Sequence, residues 1–154
     1  MKIPYETIME SCIQYIKDER PKLNEPKKAA NFIRPFFSIK PTIEQMMAIL
    51  LNVRLKPIDA PVLIAEGCSD RCFFTTKQLF REAIAKNASV IILAHNHPSG
   101  DIEPSPEDIS MTRNMVRAGH IIGISVKDHI IISTSDYYSF RENNIMPSKE
   151  ETSL

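Results

Sequence analysis

The apolar positions of the chain fall into blocks of different period. Between residues 4 and 19, Ile8, Cys12, Tyr15 and Ile16 recur at helical spacing until Pro21 breaks the pattern. A second short helix is predicted over "EPKKAANFIRPFF", with Pro26 near its start. The runs "IEQMMAILLNVR" (43–54) and "IDAPVLIAEG" (58–67), separated by "LKP", predict two strands joined by a short turn. "TTKQLFREAIAKN" (75–87) opens on a threonine cap and sets Leu79, Phe80, Ala83 and Ile84 on one helical face. "ASVIILA" (88–94) is an unbroken apolar run rich in β-branched residues, the pattern of a strand buried on both faces. From Ser105 a helix is predicted to about Ala118, with Ser105 as N-cap, Pro106 in the first position, acids in the first turn and Gly119 as its stop. "IIGISVKDHIIIS" predicts one or two strands around Val126 and Lys127, and "SDYYSFRENN" closes the domain.

Strands and helices covering one sheet define an α/β or α+β fold. A length of 154 residues suits one domain with a single core. Residues 1–37, rich in Lys and Pro, read as an N-terminal helical extension packed on a main body of 38–146, and 147–154 as a flexible charged tail. Composition adds exclusions. Lys+Arg and Asp+Glu both total 19, so no long-range field draws nucleic acid or an anionic membrane to the chain. No apolar run reaches the roughly 18 residues of a membrane span. The first residues alternate apolar with charged and lack a signal core. A cytoplasmic protein is therefore expected, with free thiols at Cys12, Cys68 and Cys72. Cys68 and Cys72 are too few for a metal site by themselves and read as structural.

The chemistry concentrates in "AHNHPSGDIEPSPED" (94–108). His95 and His97 stand at the end of the buried strand, and residues i and i+2 of an extended segment face the same way. Gly100 and the prolines fold the chain back. Asp108 then sits in the first helical turn, where side chains tilt toward the helix N-terminus and so toward the strand end. Two imidazoles and a carboxylate are the three protein ligands that catalytic zinc commonly takes, leaving one place to water. A plainer reading also stands on the residues alone: two surface histidines, then a helix capped by Ser105 and Asp108.

The spacing of His95, His97, Ser105 and Asp108 resembles the JAMM motif of the JAB/MPN+ metallopeptidases. The longer text "LAHNHPSGDIEPSPEDISMTRNMVRAGHIIGISVKDHIII", with "YYSFRENNIM", is similar to the RadC-like branch of that superfamily over roughly residues 40 to 146. The resemblance implies a single JAB/MPN-type domain, a mixed β-sheet flanked by helices with an architecture like that of cytidine deaminases. It implies one Zn2+ per chain on His95, His97 and Asp108. It also implies an upstream Glu acting as general base at the start of a strand; "EQMMAILLN" matches that segment and supplies Glu44, with Glu66 as the alternative. Ser105 would donate to the tetrahedral oxyanion while its lone pairs accept from the helix amide. Asn96, pointing the other way from the ligands, is expected to hold the loop. Asp128 and His129 match the family's Asp-His pair, either supporting the metal site from behind or serving a structural hydrogen bond. His120 reads as a surface residue and Glu82 as a solvent-side acid.

The implied activity is zinc-dependent hydrolysis of an amide bond in a peptide or isopeptide substrate. The alternative is a DNA-repair-associated or nucleic-acid-processing accessory protein of the RadC type; the neutral charge and a short N-terminal segment without a Gly-containing helical hairpin give it no support. A metal-free scaffold conflicts with the intact motif. A zinc deaminase is rejected, because neither Pro-Cys-x-x-Cys nor His-x-Glu occurs. Oligomeric state is not legible.

Overall fold

The computed structural model of the chain describes residues 19–37, 42–67 and 76–148. Nearly all of the helix expected over 4–19, the three cysteines and most of the charged tail lie outside the described residues. The elements run α1 (Pro26–Phe37), β1 (Gln45–Leu51), β2 (Val62–Glu66), α2 (Thr76–Ala85), β3 (Val90–Asn96), α3 (Pro106–Ile122), β4 (Ser125–Ile132) and β5 (Tyr137–Ser139). The strands form one sheet in the order β2-β1-β3-β4-β5. β3 and β4 pair in parallel, and the other neighbours pair antiparallel. α3 is the crossover that a parallel pair requires. The fold is α+β with a mixed sheet between helices, as a JAB/MPN-type domain requires.

Both faces of the sheet are covered, so its middle strands are buried throughout. All seven residues of β1 are buried, and six of the seven in β3. One face packs Met46, Ala48, Leu50, Ile91 and Leu93 against Leu79, Phe80 and Ala83 of α2 and Met115 and Val116 of α3. The other packs Met47, Ile49, Leu51, Ile92, Ala94, Ile130 and Ile132 against Ala29, Ala30, Ile33 and Phe37 of α1. Two-residue alternation thus sorts each strand between two helical layers. Burying one aliphatic side chain of this kind contributes roughly 1.5–3 kcal/mol.

A bulge interrupts that alternation in β4. Ile91 pairs with Val126 but Ile92 pairs with Asp128, leaving Lys127 as an extra residue. Downstream of it the frame is reversed: Val126 packs toward α2 and α3, while Ile130 and Ile132 pack toward α1. His129, opposite Leu93, is thereby turned to the α3 face and Asp128 to the α1 face.

α3 buries Asp108, Thr112, Met115, Val116 and Gly119, a stripe at helical spacing. Its polar beginning lies at the ends of the strands, and its apolar remainder lies over the core. Gly119, expected to stop this helix, does not. It is buried inside the helix, where a Cβ would lie 2.4 Å from the Ile124 carbonyl oxygen, so the glycine is needed for close packing. The helix runs on to Ile122 and ends at Gly123, left-handed at φ 84°, whose N–H donates to the Gly119 carbonyl at 2.8 Å. His120 is on the exposed side, as expected. Ile84 leaves the face assigned to it and is 60% exposed. β1 ends at Leu51 rather than Arg54, because Asn52 starts a turn. Its Oδ1 accepts from the N–H groups of Arg54 and Lys56, and Leu55 is left-handed at φ 62°. Among the described residues no helix is long and apolar enough to cross a membrane.

Candidate metal centre

Three elements deliver side chains to the ends of β1 and β3. β3 supplies His95, fully buried, and His97, just past the strand, with 18% of its side chain exposed. Their Nε2 atoms lie 2.9 Å apart. α3 supplies Asp108 from its first turn: Oδ1 lies 3.2 Å from His95 Nε2 and Oδ2 lies 3.4 Å from His97 Nε2. β1 brings in Glu44. Met46 pairs with His95 in an antiparallel ladder, so the residue two before Met46 stands opposite His97 and, by alternation, on the same face. The ligand atoms of Glu44, His95 and His97 all lie within 4.8 Å of one another. The four side chains form a JAMM-type arrangement of two imidazoles and two carboxylates, with Asp108 in direct contact with both rings and Glu44 at one side.

Asn96, between the two histidines, points to the other face and secures Glu44 rather than its own loop. Its Oδ1 accepts from Gln45 N–H at 2.8 Å, and its Nδ2 donates to the Ile43 carbonyl at 3.0 Å, one residue either side of Glu44. The Glu44 carbonyl in turn accepts from Gly67 N–H at 2.9 Å. Glu66 does not join the cluster. It pairs with Gln45 across the strands and takes a 3.3 Å hydrogen bond from Gln45 Nε2, on the opposite face from the imidazoles.

The helix start is both a cap and part of the site. Ser105 Oγ accepts from Asp108 N–H at 3.1 Å, and Ser105 N–H donates to Asp108 Oδ2 at 2.8 Å, which is a capping box. The expected lone-pair role of Ser105 is therefore present. Its proton, however, is directed to Asp108 Oδ2 at 2.8 Å rather than outward to a substrate, since that carboxylate is the nearest strong acceptor.

The donor set fits a cation. Asp101's carbonyl oxygen, 2.9 Å from His97 Nδ1, can only accept, so that nitrogen carries the ring proton. In its neutral form His97 then presents a bare lone pair at Nε2, toward His95 Nε2 and a carboxylate. Burial raises the Asp108 pKa, but its contacts with the His95 and His97 rings outweigh that and hold the carboxyl well below the usual carboxylate range, since either ring on taking up a proton would donate to it. Asp108, which accepts from the His97 ring once that ring is protonated, raises the His97 pKa. The cluster holds lone pairs and negative charge converging on one point, the chemistry of a site for a borderline-soft divalent metal.

The Asp-His pair of β4 divides its work. His129 is fully buried beneath the centre: Nε2 lies 2.7 Å from His95 Nδ1, and Nδ1 lies 2.6 Å from Thr112 Oγ1. Thr112 had no place in the sequence reading. Its position four residues after Asp108, on the same helical face, was the signal available. Asp128 takes the structural share. It accepts from Ser139 Oγ at 2.7 Å and from the N–H groups of Arg141 and His129 at 3.0 and 2.8 Å.

A cleft of about 680 Å³ opens beside His97. Phe37 and Pro35 of α1, Pro98, and Ile132 with the following serines give it apolar walls with a polar rim. Arg34, also at its edge, is held by the carbonyls of Ser133 and Asp136.

A mixed sheet between helices with a JAMM-type cluster at one end of its central strands places this chain among the JAB-type metal-site domains. A profile of the RadC-like JAB domain matches residues 23–145, and the chain belongs to that family. It is 39% identical over 127 residues to a UPF0758 protein of Symbiobacterium thermophilum, covering 82% of this chain and 53% of the relative. A UPF0758 protein of Clostridioides difficile is 43% identical over 103 residues, covering 67% and 43%. One of Thermotoga maritima is 44% identical over 99 residues, covering 64% and 44%. The chain spans about half the length of the curated relatives it matches, or less.

Proposed function

We propose that the domain is a zinc-dependent hydrolase of amide bonds, acting on a peptide or isopeptide, with one zinc held by His95 Nε2, His97 Nε2 and Asp108. The observation that carries this reading is the convergence of two imidazole nitrogens 2.9 Å apart on a carboxylate, beside an open cleft and a second carboxylate. Zinc supplies Lewis acidity there and makes a water nucleophilic near neutral pH. Glu44, whose carboxylate lies within 4.8 Å of both imidazoles, accepts the proton of the attacking water and returns it to the leaving amine. Its carboxylate needs a fixed position for this, and Asn96 supplies one by tying down the backbone on both sides. Ser105 is the candidate oxyanion donor. Its hydroxyl has to turn from Asp108 Oδ2 toward the substrate, a rotation that leaves its cap to the helix in place. The cleft, which His97 alone of the proposed zinc ligands lines, is the candidate path for the chain flanking the scissile bond. A cytoplasmic setting accords with cysteines kept reduced.

The test combines metal analysis with a cleavage screen over peptides, isopeptide-linked conjugates and single-stranded DNA. Wild type is expected to carry about one zinc per chain and to cleave an amide. Glu44→Ala should keep its zinc and lose hydrolysis. A zinc-free wild type after purification with zinc supplied, or cleavage confined to DNA, would overturn the proposal.

A further inference from the structure

We propose that His129 and Thr112 are positioning residues that fix His95 as the tautomer with its proton on Nδ1 and a bare lone pair on Nε2. The inference rests on the metal-site reading above and deepens it.

The direction of the hydrogen bonds follows from one backbone atom. The Asp108 carbonyl oxygen lies 2.6 Å from Thr112 Oγ1 and can only accept, so the single hydroxyl proton of Thr112 points to it. Toward His129 Nδ1, also at 2.6 Å, Thr112 Oγ1 is then an acceptor, and that nitrogen must carry the proton. The His129 ring is fully buried with Phe140 stacked on its face, where an imidazolium charge would be costly, so the ring is neutral and its Nε2 is an acceptor. His95 Nδ1, 2.7 Å away, therefore donates. A neutral His95 protonated there has a free lone pair at Nε2, the atom that faces His97 and Asp108. The opposite polarity would set two acceptors 2.6 Å apart at Thr112, a cost of several kcal/mol for polar atoms with no water to turn to.

The path closes on itself. Asp108 gives its carboxylate to the centre and its carbonyl to the first link of the relay, and β3, β4 and α3 are joined by it. Two features hold the His129 ring in this plane: Phe140 stacks on it at a centroid distance of 4.6 Å, and the Lys127 bulge turns it to the α3 face. An imidazole linked only to a surface water would exchange between tautomers, and part of the protein would present N–H where a lone pair is needed. Support of this kind behind a ligand typically changes metal affinity by about 10–100-fold.

The experiment uses the full chain. Long-range proton–nitrogen NMR of the histidine rings reads each tautomer directly, with and without zinc. His129 is expected to be protonated at Nδ1 alone in both states, and His95 at Nδ1. His129 carrying its proton on Nε2 would overturn the proposal. In parallel, zinc affinity is measured by competition with a chelator, and the visible spectrum is recorded on the cobalt-loaded protein. His129→Leu is expected to weaken zinc about 10–100-fold and to alter the cobalt spectrum. Thr112→Val should shift both in the same direction by less, and Thr112→Ser, which restores the hydroxyl, should return both to wild type. Unchanged affinity and spectrum in Thr112→Val, with only the melting temperature lowered, would make the pair merely structural and would refute the inference even if His129→Leu fails to fold. A wild type that binds no zinc would sink the metal-site reading; the ring tautomers of the same metal-free sample would still decide the polarity.

Discussion

Asp128 and His129 are neighbours on β4, both buried, yet they organise polar clusters of opposite character on opposite faces of the sheet. Around Asp128 the account closes: a hydroxyl and two backbone N–H groups meet its oxygens. Around His129 it does not. The relay from Asp108's carbonyl through Thr112 and His129 uses every proton available, and beyond it two imidazole lone pairs and a carboxylate converge with no proton between the rings. A buried polar cluster whose donors and acceptors balance holds a fold together. One that is short of protons is built for a cation that the chain itself does not provide. Burial and residue type do not separate the two; the count of hydrogens does.

The largest expected effect comes from ending the shortage. Asp108→Asn removes the charge and adds two hydrogens, so zinc content should fall toward zero and hydrolysis should vanish. Chelation should lower the melting point of wild type and leave this variant unmoved. At free zinc 1,000 times its Kd the lost stabilisation is about 4 kcal/mol. Next comes the balanced cluster. Asp128→Asn replaces a charged acceptor of three hydrogen bonds by an amide that must keep its oxygen on the two backbone N–H groups and reverse its bond to the Ser139 hydroxyl, and should cost about 1–3 kcal/mol in denaturant titrations. Its zinc affinity should match wild type, and a large loss there would erase the distinction between the two clusters. Ser105→Ala is smaller: about 1 kcal/mol for the lost cap, together with slower hydrolysis at unchanged zinc content.

The smallest effect is a pH trend in the zinc-free protein. The lowered Asp108 pKa gives stability that is present above the unfolded carboxyl value and lost as pH falls through the folded one. The raised His97 pKa gives stability that is present below the unfolded imidazole value and lost as pH rises through the folded one. The two overlap between about pH 4 and 6.5, where denaturant stability should peak relative to Asp108→Asn. Zinc-loaded protein should instead gain stability as pH rises through the imidazole range, since protons compete with the metal. Parallel curves for the two forms would count against a shared site.

The site was legible where chemistry and local geometry coincide. The i, i+2 histidines after an apolar run and the Ser-Pro-x-Asp helix start each carry their meaning within a few residues, and the structure brings His95, His97 and Asp108 together as that spacing implied. Glu44 was reached only through family resemblance, because its approach depends on how β1 registers against β3, which no local pattern encodes. Gly119 was misread for a related reason. A glycine in a helical pattern signals a stop, but here it answers a contact with Ile124, across the turn that follows. The role of Thr112 depends on a partner seventeen positions away on another element. Ser105's proton could not be read from sequence either, since its direction is set by where Asp108 settles.

Lys127 itself has no part in the chemistry, yet it sets the phase of everything after it. A strand is a two-letter code for inside layer and outside layer, and this one residue shifts the reading frame by a single letter. Were Lys127 taken into the ladder opposite Ile92 instead of bulging out, Asp128 and His129 would exchange layers: a carboxylate would sit behind His95 and an imidazole among the amides of the closing turn. A strand drawn straight through position 127 would thus scramble the centre more thoroughly than many substitutions close to it, whereas deleting Lys127 outright would iron out the bulge and still leave Asp128 opposite Ile92 and His129 opposite Leu93.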